Sequence, residues 1–596
     1  MAALQEGHHP QLHPMWVVSM QDLLQMRGVP PSHQELRDAG LLVQCEPSFH
    51  SVFVSHQWLG KNHPDEKGSQ FRILQEAFRN IIDGRIDVEL DVPLQWTGYN
   101  RSLSLEDREE LKGAYVWLDW FSIPQIELKE QGLEERMRSD VFMAVQSIPF
   151  YVETCNLFVA LVPPLQHNDL HTECNYCTWL SRGWCRLEIW CNLLSHRKEA
   201  PFVVIQDSDH AEFAMPVHWV RESAHDGHFT VESDRARVAE VLHIAFESKL
   251  ASLSKESHLF RYLLAGKSRL LGLRRSPAVS LESFVEHFGF ESMEEAIAQK
   301  TGMVATACAV LTEDLVSLER LAEAKAELNP QLPGIMEVGL TRGWTPLHLA
   351  LSHCSHGRGT RAAERLLSLR ADPNSCNRGG MPALGFCTSV EAVNLMLESR
   401  AEVNFSRGPG GLTALALSTL LCAPAEVVQR LLQARADPNG RGCGIGHAAL
   451  STLAISADGN PHLLEHVKVL LQARADVNQG GQTGGIVWIY EILCRLKDTL
   501  GCTLESLGIS LGINGAPSSL SGALTDRPLV ERFTAEASST ALGVASLLSR
   551  EKLVCLLLKA NADPSLPNNR GHTPRDLTKR ESILHLMQKS QALRTT

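Results

Sequence analysis

The sequence predicts an α/β domain built on a parallel sheet, followed by an all-α solenoid of stacked repeats. Three observations predict it. Residues 45–210 alternate short apolar runs rich in Val, Phe, Tyr and Trp with stretches of helical spacing, the pattern of a parallel sheet covered on both faces. A phrase of helix end, Ala, acidic residue and usually Asn recurs six times between residues 321 and 565. The 596 residues are 44% hydrophobic and 21% charged, an ordinary globular balance with room for about three or four domains.

The strands of the first half come in order. They are SVFVSHQW (51–58), YVWLDWFSIPQ (115–125), CNLFVALVP (155–163) and PFVVIQ (201–206). Helical stretches separate them. The first covers 67–82 and sets Phe71, Leu74, Phe78 and Ile81 on one face. Asp65–Glu66–Lys67 ahead of it reads as a solvated helix start. The second covers 131–148. The third covers 181–196, with Ser181 as its N-cap. Right-handed crossovers gather the loops after each strand on one edge of the sheet, where ligands of open α/β sheets bind. That edge receives Ser55, His56 and Trp58 from the first strand, and Asp119 and Trp120 from the second. It also receives Glu188 from the second turn of the third helix. Residues 1–44 read as an N-terminal extension, 45–215 as the α/β domain and 216–302 as a helical connector.

The solenoid occupies 303–590. The recurring phrase reads LAEAKAELN (321–329), LLSLRADPN (366–374), MLESRAEVN (396–404), LLQARADPN (431–439), LLQARADVN (470–478) and LLKANADPS (557–565). Its Ala residues are 45, 30, 35, 39 and 87 residues apart, a scatter around a period of about 33. The other half of the unit is GWTPLHLA (343–350), with a second copy GHTPRDL (571–577) and degenerate copies GGMPALGF (379–386) and GGLTALALS (410–418). Pro346 stands at the start of a helix, where its missing N–H costs nothing. Asp372–Pro373–Asn374 turns the chain away after the second helix. No unit buries its own apolar face, so neighbours stack. This resembles the ankyrin-repeat family. The 87-residue interval reads as a degenerate repeat plus an insertion around 480–540, holding IVWIYEILCRL (486–496) and GINGAPSSLSG (512–522).

A second resemblance rests on FVSHQW, LDWFSIP and ETCNLFVALVP followed by SRGWCRLEIW. These resemble the opening strand, the acidic second strand end and the S-x-W-C-x-x-E box of Toll/interleukin-1 receptor (TIR) domains. The resemblance implies a TIR/flavodoxin-like α/β parallel-sheet N-terminal domain ahead of the all-α ankyrin-repeat solenoid. It maps the family's catalytic Glu onto Glu188, with Trp184 and Cys185 in register. Active members are NAD glycohydrolases, so it implies NAD as substrate, with Ser55, Trp58, Asp119 and Trp184 binding the nucleotide. The chemistry needs little machinery. Nicotinamide in NAD is a cationic leaving group, and one carboxylate stabilises the oxocarbenium-like transition state. The family's R-D-x-x-P-G loop is absent, and the 133 residues from Ser55 to Glu188 imply inserted loops.

Other chemistry is set aside. No Walker A or G-x-G-x-x-G motif sits at a strand-to-helix junction. His171, Cys174, Cys177 and Cys185 form one loose cluster rather than two paired zinc knuckles, so no metal site is assigned. Ser55–His56 has no evident acid partner, which argues against a hydrolase triad. The net charge of −12 lacks the basic excess of a nucleic-acid binder. The 15 Cys and the lack of a secretory leader read as a cytoplasmic chain with reduced thiols, and no apolar stretch reaches the roughly 20 residues of a membrane span. The expected function is signalling or scaffolding: ankyrin repeats bind partner proteins, and the TIR-like domain acts as an effector or self-association module. The alternative is an NAD glycohydrolase targeted by the array.

Overall fold

The fold is taken from a computed structural model. It describes residues 9–90, 101–125, 133–197, 201–214, 220, 222–273, 280–299, 302–352, 360–408, 410–444, 446–482, 532–533 and 536–595. The chain divides into two compact units. One is built mainly from residues up to Ser254, the other mainly from Ser276 onward.

The first unit holds an eight-stranded mixed sheet. Its order is Leu42–Gln44, Trp16–Ser19, Tyr115–Leu118, Ser51–His56, Leu157–Leu161, Phe202–Asp207, His210–Phe213 and Glu89–Leu90. The four expected strands form its centre, and all their pairings are parallel. Ser51–His56 lies in the middle and is buried throughout, because a strand covered on both faces has no solvent side. Phe53 stacks on Trp117 and Phe158, with ring centroids 4.3 and 5.3 Å apart.

The edges differ from the expectation. Of residues 1–44, the described ones, from 9 onward, are not an appendage to this sheet. Trp16–Ser19 pairs antiparallel with Tyr115–Leu118 and with Leu42–Gln44. Val17 and Val18 are fully buried there. On the other side, His210–Phe213 runs antiparallel to Phe202–Asp207. Nor do residues 216–302 form a separate connector. Helix Asp234–Ser252 packs on helix Gly183–Leu194 of the first unit, while Leu281–His287 packs on Leu315–Glu323 of the second.

Two local readings are corrected. The third crossover is two helices, Tyr176–Ser181 and Gly183–Leu194, so Ser181 ends one helix instead of capping the other. Gly183 opens the second because Phe229 lies where a Cβ would stand. Asp65 is not solvated. It is buried, and its carboxylate accepts the Ser69 and Phe71 N–H groups at 2.9 and 2.8 Å. It thereby caps a helix, Ser69–Ile82, whose own N-cap is Gly68 and offers no side chain.

The second unit is a stack of helix pairs. They are Ala305–Leu311 with Leu315–Glu323, Pro346–Ser352 with Thr360–Ser368, the short 3-10 turn Ala383–Phe386 with Val390–Glu398, Ala414–Leu420 with Ala425–Gln433, Ala449–Ser456 with Leu463–Gln472, and Ala541–Leu547 with Glu551–Lys559. The first member of each pair packs on the first member of the next. Thr345 and His348 of TPLH bond to each other through Oγ1 and Nδ1 at 2.8 Å, and His348 Nε2 reaches the Met381 carbonyl of the next repeat at 3.3 Å.

The recurring Asn ties the stack together. Asn329, Asn374, Asn404, Asn439 and Asn478 each accept, through Oδ1, the backbone N–H of the acidic residue in the next repeat. The distances run from 2.7 to 2.9 Å. The last of these bonds joins Asn478 to Asp563 across the long interval. Ala541–Leu547 likewise packs on Ala449–Ser456. One repeat, not two, therefore fills the stack between Ala475 and Ala562. The segments 486–496 and 512–522 lie outside the described residues.

Candidate functional site

Each expected site residue in the first unit has a defined place. Ser55 sits near the end of the central strand and donates its hydroxyl hydrogen to Glu188 Oε2. The indole of Trp179 donates to the same Ser55 Oγ at 3.0 Å. Burial pushes the Glu188 carboxyl up to about 8; the Ser55 hydroxyl opposes this and the Asp119 charge adds to it. No Arg or Lys is an ion-pair partner of Glu188 among the described residues.

The next residue on the strand points to the opposite side and builds a second pair. His56 Nε2 lies 2.8 Å from Asp119 Oδ1, and Nδ1 lies 2.8 Å from Gln70 Oε1. Burial disfavours a charge on His56, but Asp119 and Gln70 outweigh it and hold the imidazole above its ordinary value. Burial likewise opposes ionisation of Asp119. The facing His56, the Trp58 indole and the Trp120 N–H still hold its carboxyl below the usual range. Asp119 Oδ2 accepts Trp58 Nε1 at 2.8 Å, and Oδ1 accepts the Trp120 N–H at 2.6 Å. His56 thus has the acid partner that sequence does not reveal. Both of its ring nitrogens are engaged elsewhere, so it does not serve Ser55 as a base.

The structure therefore joins Ser55 to Glu188 and Trp58 to Asp119. Trp184 belongs to neither group: its indole donates to Asp234 Oδ2 at 3.2 Å. A cleft of about 1080 Å3 opens beside the second pair, with Trp58, Asp119, Trp120, His63, Lys61 and Glu35 in its walls. Ser55 and Glu188 are not among those walls. Trp58 and Trp120 meet edge to face at 5.7 Å, and His63 meets Trp120 at 4.6 Å. Gln70, Trp179 and His63 carry no local signal in the sequence; each is brought in by a helix or loop. The loose cluster His171, Cys174, Cys177 and Cys185 does not gather three ligand atoms.

The second unit carries a different surface. The turn tips between repeats read Thr-Arg-Gly, Asn-Arg-Gly, Ser-Arg-Gly, Gly-Arg-Gly and Asn-Arg-Gly, placing Arg342, Arg378, Arg407, Arg441 and Arg570 one per tip. Stretches 373–382, 403–413 and 438–449 contain an arginine each and no acidic residue. Arg342, Arg378, Arg407 and Arg570 are exposed. The tips are stacked closely: the Arg378 N–H reaches the Arg342 carbonyl at 3.2 Å. Gly380, at φ +83°, fits because a Cβ would strike the Arg407 carbonyl.

Comparison with known proteins places the repeats. The Ankyrin repeat family matches residues 342–378. The chain is 57% identical over 49 residues to Ankyrin repeat domain-containing protein 29 of Danio rerio, a stretch covering 8% of this chain and 16% of that relative's length. Among solved structures it is similar to the ankyrin repeat domain of Bcl-3, a member of the IkappaB family, with 21% identity over 48% of this chain and 97% of that one, at a TM-score of 0.30. It is also similar to the human ASB11 ankyrin repeat domain, with 18% identity over 48% and 96%, at 0.31. The chain carries ankyrin repeats.

Proposed function

We propose that this chain is a protein-binding adaptor of the cytoplasm. Its ankyrin repeats dock an acidic segment of a partner protein, and its α/β unit serves as a TIR-like effector or self-association module in signalling. The row of turn-tip arginines carries the reading: five turn tips bear one each, and the tip stretches 373–382, 403–413 and 438–449 hold no acidic residue, on a chain whose net charge is −12. Arginine forks suit carboxylates, and a repeated cation matches an extended acidic peptide one repeat at a time. The twelve cysteines among the described residues all carry free thiols, which suits a reducing compartment. The test is anisotropy of a labelled oligoglutamate peptide on the full chain, against the triple variant Arg342→Glu, Arg378→Glu, Arg407→Glu. At roughly 0.2–1 kcal/mol for each exposed pair, the triple reversal lowers affinity by about tenfold or more. Wild-type binding also weakens with salt. Equal binding by both proteins would refute the docking row.

The second reading is NAD glycohydrolase activity with Glu188 as the catalytic group. A carboxyl raised to about 8 at the carboxyl edge of a parallel sheet favours it. The cleft weighs against it, because Trp58 and Asp119 line the cleft whereas Glu188 does not. NAD turnover by the full chain, wild type against Glu188→Ala, decides: nicotinamide release abolished in the variant supports the reading, and equal rates sink it.

A further inference from the structure

We propose that His9, Glu153 and His196 form a binding site for a divalent transition-metal ion, with zinc as the best fit. The three come from distant parts of the chain, 144 and 43 residues apart, and the fold brings them together. The segment around His9 is tied down at Ser147, whose Oγ accepts the Leu12 and His13 N–H groups at 2.9 and 3.1 Å. It is tied again at Tyr151, whose hydroxyl donates to the His13 carbonyl at 3.0 Å. Glu153 lies two residues further along the same helix, Ile148–Thr154. His196 follows the end of helix Gly183–Leu194.

One ligand atom from each residue lies within 4.8 Å of the other two. Glu153 Oε1 is 3.0 Å from His196 Nδ1, and Oε2 is 3.4 Å from His9 Nε2. Two ligands on a tetrahedral zinc with bonds of about 2.0–2.1 Å stand about 3.4 Å apart, so the donors are already near bonding positions. The second observation is His9 itself. Its side chain is fully buried, and among the described residues neither ring nitrogen makes an aligned hydrogen bond, the Leu194 backbone lying close by. A buried imidazole without aligned hydrogen bonds is costly, and a metal ion would satisfy it. The outer contacts also suit coordination. His196 Nε2 lies 3.4 Å from both the Ser248 carbonyl and the Ser248 hydroxyl, outer contacts that would hold the ring while Nδ1 faces Glu153. The nearby cation, Lys249, directs its ammonium to the Ser195 carbonyl at 2.7 Å.

Two imidazoles and a carboxylate form a borderline donor set. They leave a fourth position for water or a small ligand. The ion would clamp the N-terminal segment to the helix that bears Glu188.

The experiment uses the full chain, stripped with a chelator and titrated with cobalt, then with zinc. The expected result is one equivalent of cobalt with the visible absorption of a four-coordinate ion, displaced by zinc. His9→Ala and His196→Ala each weaken binding at least tenfold. Zinc raises the melting temperature of the wild type, by linkage, and leaves that of His9→Ala unmoved. Circular dichroism identifies any variant that has lost its fold; Glu153→Gln, which keeps size and hydrogen-bonding capacity, then replaces it. The proposal is overturned if the folded wild type takes up no cobalt, or if the folded variants bind it as the wild type does.

Discussion

At the scale of single residues, the sheet centre shows how alternation along one strand sorts chemistry. Ser55 and His56 are neighbours in sequence, yet they face opposite sides of the sheet and belong to different polar groups. Ser55 meets a carboxyl that burial raises to about 8. His56 meets a carboxylate held low. The first arrangement has a measurable consequence. The folded value of Glu188 lies above its ordinary 4.5, so its stabilising contribution is complete below about 4.5 and is lost as pH rises toward 8. Above that, the fold holds a buried carboxylate that pairs with no Arg or Lys among the described residues and is favoured only by the Ser55 hydroxyl and the nearby His56. Glu188→Gln keeps the acceptor for Ser55 and removes the charge. It should stabilise the first unit by about 1–2 kcal/mol at pH 8, with the gain fading toward pH 4. Tryptophan fluorescence during urea unfolding reads this, because nine of the eleven tryptophans precede residue 220. A gain of equal size at pH 4 would show that burial of charge is not the cause. The rim is legible in sequence only as far as strand ends announce themselves: Ser55 and Asp119 stand at strand ends, whereas Glu188 comes from a helix. The partner of His56 is not legible, because Asp119 sits 63 residues away, just past the end of a neighbouring strand, and local pattern carries no such pairing. Trp184 falls outside the expected group because register within a motif does not say which face of a helix meets the sheet.

At the scale of elements, the repeats are legible because both halves of the unit recur in order, and each half has a local cause. The long interval misleads because spacing arithmetic cannot tell an extra repeat from residues inserted within one. The Asn478–Asp563 bond distinguishes them. The four-residue strand Trp16–Ser19 is hidden in the sequence because it is too short to display an alternation. The same elements hold a recurrent strain. Lys325, Arg370, Arg400, Arg435, Arg474 and Asn561 all have φ between 65° and 70°, each just before the recurring Ala. A left-handed conformation costs an L-residue roughly 1–2 kcal/mol, whereas glycine adopts it freely and loses about 0.5–1 kcal/mol through the unfolded chain. Arg435→Gly should therefore stabilise the array by about 0.5 kcal/mol. The same change made also at Arg370, Arg400 and Arg474 should add up, since the sites are in different repeats. A loss of stability in chemical denaturation followed by far-ultraviolet circular dichroism would rule this out. The Asn ladder predicts the opposite sign. Asn439 accepts the Asp476 N–H at 2.7 Å and donates to the Arg474 carbonyl at 3.2 Å. Asn439→Ala removes both and should cost about 1–2 kcal/mol. Because the bonds join neighbours, hydrogen exchange should quicken at Asp476 before it does at Asp372.

At the scale of the whole molecule, the second unit is a stack in which each repeat depends on its neighbours, so a fault repeated along it acts on the array as a whole. Buried histidines supply such a fault in acid. Burial lowers His348, His447 and His466 each to about 4. Their bonding explains why the neutral form is built in. His348 Nδ1 accepts the Thr345 N–H at 3.2 Å, and Nε2 donates to the Met381 carbonyl. His466 Nδ1 faces the Asn460 amide nitrogen at 3.1 Å, and Nε2 faces the Ala423 carbonyl at 2.8 Å. A second proton would meet a donor in both cases. Among the described residues His447 has no hydrogen-bond partner for either nitrogen, and it feels the nearby Arg441. Around His466, Glu465 and Glu426 favour the proton and His462 opposes it. Since the folded values lie below 6.5, the unfolded chain binds more protons as pH falls through 6.5 toward 4. Stability is complete above about 7 and declines below it. A tenfold difference in proton affinity between the folded and unfolded chain is worth about 1.4 kcal/mol, so each histidine costs at most about 2 kcal/mol by pH 5. The array should lose roughly 3–5 kcal/mol between pH 7.5 and 5. His447→Leu, which removes the one ring of the three that has no hydrogen bond to give up, should flatten that slope by about a third. The check is the urea midpoint of the helical signal at the two pH values, and an unchanged slope in the variant would place the acid sensitivity outside these rings.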